Sequence, residues 1–219
     1  MDRLSAIASL LAGTLIVGAA VLAPGCAPRA GSESARTNPG ATTQAPVSVV
    51  DGRDVAPLDG ASNALVAIVF ISHECPIANA MAPDLQALAA HAAANGVALH
   101  LVHPSPWATR EELLRHAREF GFVSDTGPDV SVLADPSQSL VVRCGATVTP
   151  EGALFRLDGK GGGELLYLGR VNDLYVGIGR RRPSISSHDL GNAIDAAIAG
   201  RVIPQPFPKA VGCFIESPR

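Results

Sequence analysis

Charge is sparse in this chain. Only 17% of its 219 residues are Asp, Glu, Lys or Arg, and the formal net charge is -3. That mild acidity leaves no basic footprint for nucleic acid. Internal repeats are absent, and past the N-terminal region so is any low-complexity tract. Cysteine is scarce as well. There are four, at positions 26, 75, 144 and 213, and no two lie close together. A metal clasp made of paired cysteines on one helix is therefore excluded. His91, His100, His103, His116 and His188 are spread over different segments without metal-ligand spacing. What the chain does have is apolar residues, at 47%. Its length suffices for one globular domain with a real core, and falls short of two large ones.

The N-terminus reads as an export signal. After Met1-Asp2-Arg3 comes an uncharged stretch from Leu4 to Ala23, ending in Leu22-Ala23-Pro24-Gly25-Cys26. A positive residue, an apolar core and small residues before a cleavage point form the secretory pattern. Gly25-Cys26 is similar to a bacterial lipobox, which makes Cys26 a lipidation candidate, although Ala23 stands where a Leu is usual. An uncleaved signal anchor of roughly twenty apolar residues and plain secretion remain as alternatives. All three place the functional domain outside the cytoplasm, as a membrane-anchored lipoprotein or a periplasmic protein. Residues 27–46 are rich in Gly, Ser, Thr, Pro and Asn, cannot bury an apolar face, and read as a flexible linker. With Cys26 assigned to the anchor, an oxidising compartment allows one disulfide among Cys75, Cys144 and Cys213 and leaves an odd thiol. Sequence alone leaves the pairing open.

The folded domain is expected over 47–219. Val47 to Val55 reads as a short hairpin around Asp51-Gly52. Ala64 to Ile71 is a continuous apolar run, expected as a buried central strand. The following segment carries Ile77, Met81, Leu85, Leu88 and Ala92 on one helical face and stops at Asn95-Gly96. A strand at Val97–Val102, a helix at Arg110–Phe120 and a strand at Val130–Leu133 continue the alternation, which implies parallel pairing with right-handed crossovers. An antiparallel hairpin is then expected from Gly152–Leu157 and Glu164–Gly169, followed by a helix over His188–Ala199 and a Pro-rich tail that reaches Cys213. The expected fold is α/β, a mixed central sheet flanked by helices with an N-terminal hairpin extension.

Within that frame Cys75 is the most informative residue. It ends an apolar strand and starts a helical pattern, where first-turn N–H groups favour an anion. The plainer alternative is a buried, inert cysteine at the edge of the core.

The segment Phe70-Ile71-Ser72-His73-Glu74-Cys75-Pro76, with Ala82-Pro83 further along the helix, resembles the redoxin (AhpC/TSA-like) branch of the thioredoxin superfamily. Thr149-Pro150 stands where that fold puts a cis-proline loop beside the active cysteine. The tail Lys209-Ala210-Val211-Gly212-Cys213-Phe214-Ile215 looks like the closing motif of an exported bacterial subgroup, as do Gly169 to Asp173 and Gly179 to Pro183. The resemblance covers roughly residues 47 to 215. It implies a thioredoxin-like fold, and either thiol–disulfide oxidoreductase or peroxiredoxin-like thiol peroxidase activity through Cys75. A redox partner protein or peroxide would be the co-reactant, with no cofactor. Two departures qualify it. Ala78 occupies the place of a thioredoxin's second cysteine, which excludes dithiol exchange within one helical turn. Ser72 matches the peroxidase hydroxyl position, whereas Ile68 stands where a peroxiredoxin has Pro.

An unperturbed cysteine is only about 3% thiolate at neutral pH, and a helix terminus supplies about 0.3–1 kcal/mol. Arg143, just before the turn into the proline loop, is the candidate guanidinium to add to that. Glu74 and Glu151, if turned inward, would oppose ionisation. Cys213 is the preferred partner thiol because it belongs to the same motif set, and Cys144 is the alternative. A different reading gathers His73, Cys75 and Cys213, with Glu151, around copper or zinc. A third is a non-catalytic thioredoxin-fold adaptor. Arg180-Arg181-Arg182 could meet Asp173. Trp107, the only tryptophan, is expected to pack locally in its Pro-flanked loop, which a redox partner could also use for docking.

Overall fold

The computed structural model describes residues 44–124 and 130–218. The expected signal peptide with Cys26, and the linker up to residue 43, lie outside the described residues. No helix among the described residues is long and apolar enough to cross a membrane.

The elements run β1 (Val47–Ser48), β2 (Leu65–Phe70), α1 (Pro76–Ala80), α2 (Ala82–Ala94), β3 (Ala98–His103), α3 (Arg110–Glu119), β4 (Ser131–Ala134), α4 (Ser139–Cys144), β5 (Val148–Thr149), β6 (Glu151–Leu157), β7 (Gly163–Gly169), β8 (Tyr175–Gly177), β9 (Arg180–Arg181), α5 (Asp189–Ile198) and β10 (Cys213–Phe214). The main sheet has the order β1-β4-β3-β2-β6-β7. Its β2, β3 and β4 are parallel, while β6 runs antiparallel to β2 and β7 antiparallel to β6. A parallel half joined to a C-terminal hairpin, with helices on both faces, is the thioredoxin-like α/β fold.

The strand β2 shows why this sheet is buried on both sides. Side chains alternate across a strand, so Ala67 and Val69, with Ile71 just past the strand's end, pack on one face with Leu85 of α2, Leu113 of α3 and Leu190 and Ile194 of α5. Val66, Ile68 and Phe70 pack on the other face with Leu140 and Val141 of α4. A strand with two apolar partners reads as a continuous hydrophobic run, as Leu65 to Phe70 does.

Two expectations change. The single helix after Cys75 is two helices, broken at Met81 (φ -94°, ψ 4°). Pro83 causes the break, since it has no N–H to offer the carbonyl of Asn79 and its ring crowds that group. The apolar face survives because the kink keeps Ile77, Met81, Leu85 and Ala92 buried. The N-terminal hairpin shrinks to a turn closed by one bridge, Val47 to Asp54. Its first strand pairs antiparallel with β4 instead and extends the sheet.

The C-terminal tail is laid against an edge. The amides of Leu168 on β7 and of Arg170 just past its end donate to the carbonyls of Pro206 (2.9 Å) and Pro208 (3.1 Å), which covers part of an otherwise open strand. The chain then returns so that β10 pairs with β5, Cys213 opposite Thr149 and Phe214 opposite Val148. Arg170 grips Asp189 through two hydrogen bonds of 2.9 and 3.0 Å and so fixes the start of α5. From the arginine run, Arg182 reaches Asp173 at 3.6 Å.

Candidate functional site

The parallel strand β2 delivers the chain to Cys75, which occupies the N-cap position of α1. A short turn precedes it, in which the Cys75 N–H donates to the Ser72 carbonyl (3.1 Å) and the Glu74 N–H to the Ser72 hydroxyl (3.3 Å). Cys75 is only 1% exposed. Its thiol donates to the Thr149 carbonyl at 3.0 Å, and the Thr149–Pro150 peptide bond is cis. Because β10 lies on β5, the same Thr149 stands opposite Cys213.

The structure therefore brings Cys75, Ser72, Thr149 and Cys213 to one cleft of about 160 Å³, which Trp107 and Phe214 also line. The thiols of Cys75, Cys144 and Cys213 are all free. Burial pushes the Cys75 thiol up, but the hydrogen bond from the Cys213 thiol, together with the N–H groups of Ala78 and Cys213, carries it below its ordinary value of 9.0. Cys213 moves the other way. Burial first, then the adjoining Cys75 sulfur, push it up to about 11. The Thr149 hydroxyl is buried without a partner while Cys75 keeps its proton, and it becomes a further donor to the sulfur once that proton leaves. The pair thus has a thiol poised to ionise and a second thiol against it that stays protonated.

Other expected residues are placed elsewhere. Arg143 is exposed at the end of α4, and its guanidinium lies against Gly162 in the β6–β7 turn. That turn is at the far end of β6 from Pro150, about 20 Å along the strand at roughly 3.3 Å per residue. Arg143 therefore does not serve Cys75. Glu151 is buried, but it turns to cap its own loop, accepting from the amides of Thr147 (2.7 Å) and Val148 (3.3 Å). Glu74 is exposed at the rim of the cleft. Cys144 faces the opposite side of the sheet, among Leu140, Val141 and Phe155. Trp107 is 56% exposed and walls the cleft instead of being packed away.

The metal reading built on His73, Cys75, Cys213 and Glu151 is not assembled. His73 does not line the cleft. Its ring packs with His103 and His116 at centre distances of 6.4 Å each. Among the described residues, no three His, Cys, Asp or Glu side chains are placed to hold a metal ion as they stand.

Sequence reasoning missed two residues that build the site. Gln138 donates from its Nε2 to the Pro104 carbonyl (3.0 Å) and to the Glu216 carbonyl, which staples the tail to the loop after β3. Gly212 passes so close to the Thr149 carbonyl that a Cβ there would collide with it. The sequence signal was available for Gly212, which directly precedes Cys213 in the tail motif. For Gln138, in an ordinary helix-start context, no signal existed.

No family model matches the chain, and no curated protein matches it. Among solved structures, it is similar to an uncharacterized conserved protein from Geobacillus kaustophilus, with 24% identity, TM-score 0.62, and coverage of 80% of this chain and 88% of that one. A hypothetical protein from Sinorhizobium meliloti is 23% identical with TM-score 0.57, over 70% of this chain and 80% of that one. A secreted Mycobacterium tuberculosis disulfide oxidoreductase aligns at 18% identity and TM-score 0.45, over 70% of this chain and 96% of that one. The first two likenesses speak to the fold alone, and the third is too distant to carry weight.

Proposed function

We propose that this protein is an extracytoplasmic thiol–disulfide oxidoreductase that cycles between the Cys75/Cys213 dithiol and a Cys75–Cys213 disulfide. The observation that carries the reading is that both cysteines meet at the Thr149–Pro150 loop, Cys75 bonded to the Thr149 carbonyl and Cys213 paired opposite Thr149 in the same cleft, with their ionisation shifted in opposite directions. In the oxidising direction for this chain, the Cys75 thiolate attacks one sulfur of a partner's disulfide. The partner's S–S bond breaks, one partner thiolate leaves, and a mixed disulfide forms. Cys213 then gives up its proton and attacks the Cys75 sulfur, closing the internal disulfide and releasing the second partner thiolate. Two electrons pass from this chain to the partner, and the two protons end on its thiols. The reverse sequence oxidises a partner dithiol.

A peroxidase cycle would use the same sulfur, and Ser72 stands in the cleft with it. Its support is weaker, because no arginine lines the cleft among the described residues and Arg143 is remote. Export belongs to the proposal through the apolar stretch at 4–23, and lipidation through Gly25-Cys26.

The test is equilibration of the reduced full chain with glutathione buffers of graded poise. The expected result is a single two-electron transition with release of two glutathiones per disulfide formed, absent in Cys75→Ser and Cys213→Ser. A stable mixed disulfide that never resolves would reject the dithiol cycle. Rapid peroxide consumption without exchange would transfer the reading to a thiol peroxidase. Inertness towards both would leave a binding adaptor.

A further inference from the structure

Three histidines meet behind the thiol loop, and their ring nitrogens make up four of the six buried side-chain polar atoms that lack a hydrogen-bond partner among the described residues. His103 ends β3 and is completely buried, with both ring nitrogens unpaired. His116, on α3, and His73, in the turn before Cys75, each leave a buried Nδ1 unpaired. A buried polar atom without a partner costs free energy, so four in one place call for a group that they hold.

Asn79 on α1 decides which nitrogen of His116 is free. Its Nδ2 donates to the His73 carbonyl at 3.0 Å, which turns its Oδ1 towards His116 Nε2 at 2.9 Å. An amide oxygen only accepts, so His116 carries its proton on Nε2, and Nδ1 keeps a lone pair.

The three rings as they stand do not yet share an ion, but the spacing of two of them suits one. Imidazole nitrogens sit about 2.0–2.1 Å from zinc, so two rings on one tetrahedral ion have centres about 5.2 Å apart. His103 and His116 are 5.1 Å apart. His73 is 6.4 Å from each, and it completes the set by an approach of about 1 Å. It lies in a loop and is only half-buried, so it is the member free to make that approach.

We propose that His73, His103 and His116 form a site for a zinc-class transition-metal ion, with Asn79 orienting His116 from outside the ligand set. Three imidazoles without a carboxylate suit zinc or copper and disfavour magnesium or calcium. The site does not use the thiol pair, so it stands or falls separately from the redox reading.

The test is titration of the reduced full chain, prepared without a histidine tag, with Co²⁺ followed by visible absorption and then displacement by Zn²⁺. The expected result is one equivalent bound with the d–d spectrum of a low-coordinate cobalt site. Affinity should fall at least about tenfold in His73→Ala and about 10–100-fold in Asn79→Ala, and stay unchanged in a Cys75→Ser/Cys213→Ser double variant. His73→Ala is the decisive substitution, because His103→Ala removes a fully buried side chain and could unfold the domain. Absence of stoichiometric binding overturns the proposal. Affinity unchanged in His73→Ala does so too, as does affinity lost with the cysteines.

Discussion

Cys75 and Cys144 are the same residue type, both buried and both at a helix end, yet their thiols are driven in opposite directions. Cys75 stands at the start of α1, where N–H groups converge, and the Cys213 thiol donates to it. Cys144 is the last residue of α4, where carbonyls converge. Burial pushes its thiol up, the Asp135 charge adds to that, and it reaches about 12 despite the adjacent Arg143 guanidinium. Asp135 is itself buried because it caps α4, accepting from the amides of Ser139 and Leu140 at 2.9 Å each. The carboxylate that starts the helix thus helps to silence the cysteine that ends it. Desolvation is common to both sites, so the donors around the sulfur, and not depth, separate a reactive thiol from an inert one.

That contrast can be broken most forcefully by removing the sulfurs in turn. Cys75→Ser or Cys213→Ser should lower disulfide exchange by on the order of 10²-fold or more, while Cys144→Ser should stay within about twofold of the parent. A comparable loss in Cys144→Ser would erase the distinction.

A subtler break leaves every thiol in place. In Gly212→Ala the new Cβ meets the Thr149 backbone, which lifts β10 from β5 and carries Cys213 away from Cys75. Misplacement of about 1 Å at a reacting centre can slow it by on the order of 10²-fold. Closure of the disulfide should therefore slow by about tenfold to a hundredfold, read by stopped-flow or quenched mass analysis. An unaltered closure rate would mean that the β5–β10 pairing does not position the pair.

Thiolate absorbance sharpens the comparison further. Cys75 should ionise below 9.0, Cys213 near 11 and Cys144 near 12. In Cys213→Ala the Cys75 value should rise, because the thiol donor to its anion is removed. In Cys75→Ser the Cys213 value should fall back, because the neighbouring sulfur no longer opposes its ionisation. The parent pair titrates as a unit, so the single variants are needed to assign the steps. Movement in the opposite sense would contradict the donor account.

The smallest expected effect concerns Arg143. Its guanidinium contacts the β6–β7 turn, so Arg143→Ala should change exchange by less than about twofold. A tenfold slowing would restore the role that its position in the sequence suggested.

These cases also mark what could be read from residues alone. The β2 run, the helix face after Cys75, the β6–β7 hairpin and the Thr149-Pro150 loop were legible, because apolar periodicity and turn chemistry are local. The nearness of Cys75 and Cys213, 138 positions apart, came only from a family resemblance. It depends on a tail of irregular structure held by the amides of Leu168 and Arg170 and by Gln138, which no periodicity encodes. Arg143 misled because a place in the chain does not fix where a long, flexible side chain ends. The histidine cluster escaped because its members sit on a turn, a strand end and a helix, with spacings of 30 and 13 residues. Only the packing of α3 against β3 and the Asn79 amide draws them together.

Disulfide mapping of the full chain after mild oxidation tests the central claim most directly. The account predicts a peptide cross-linked through Cys75 and Cys213, released by reductant, with Cys144 recovered as a free thiol. Recovery of Cys75 and Cys213 as free thiols after oxidation, or Cys75 joined to Cys144, would contradict it.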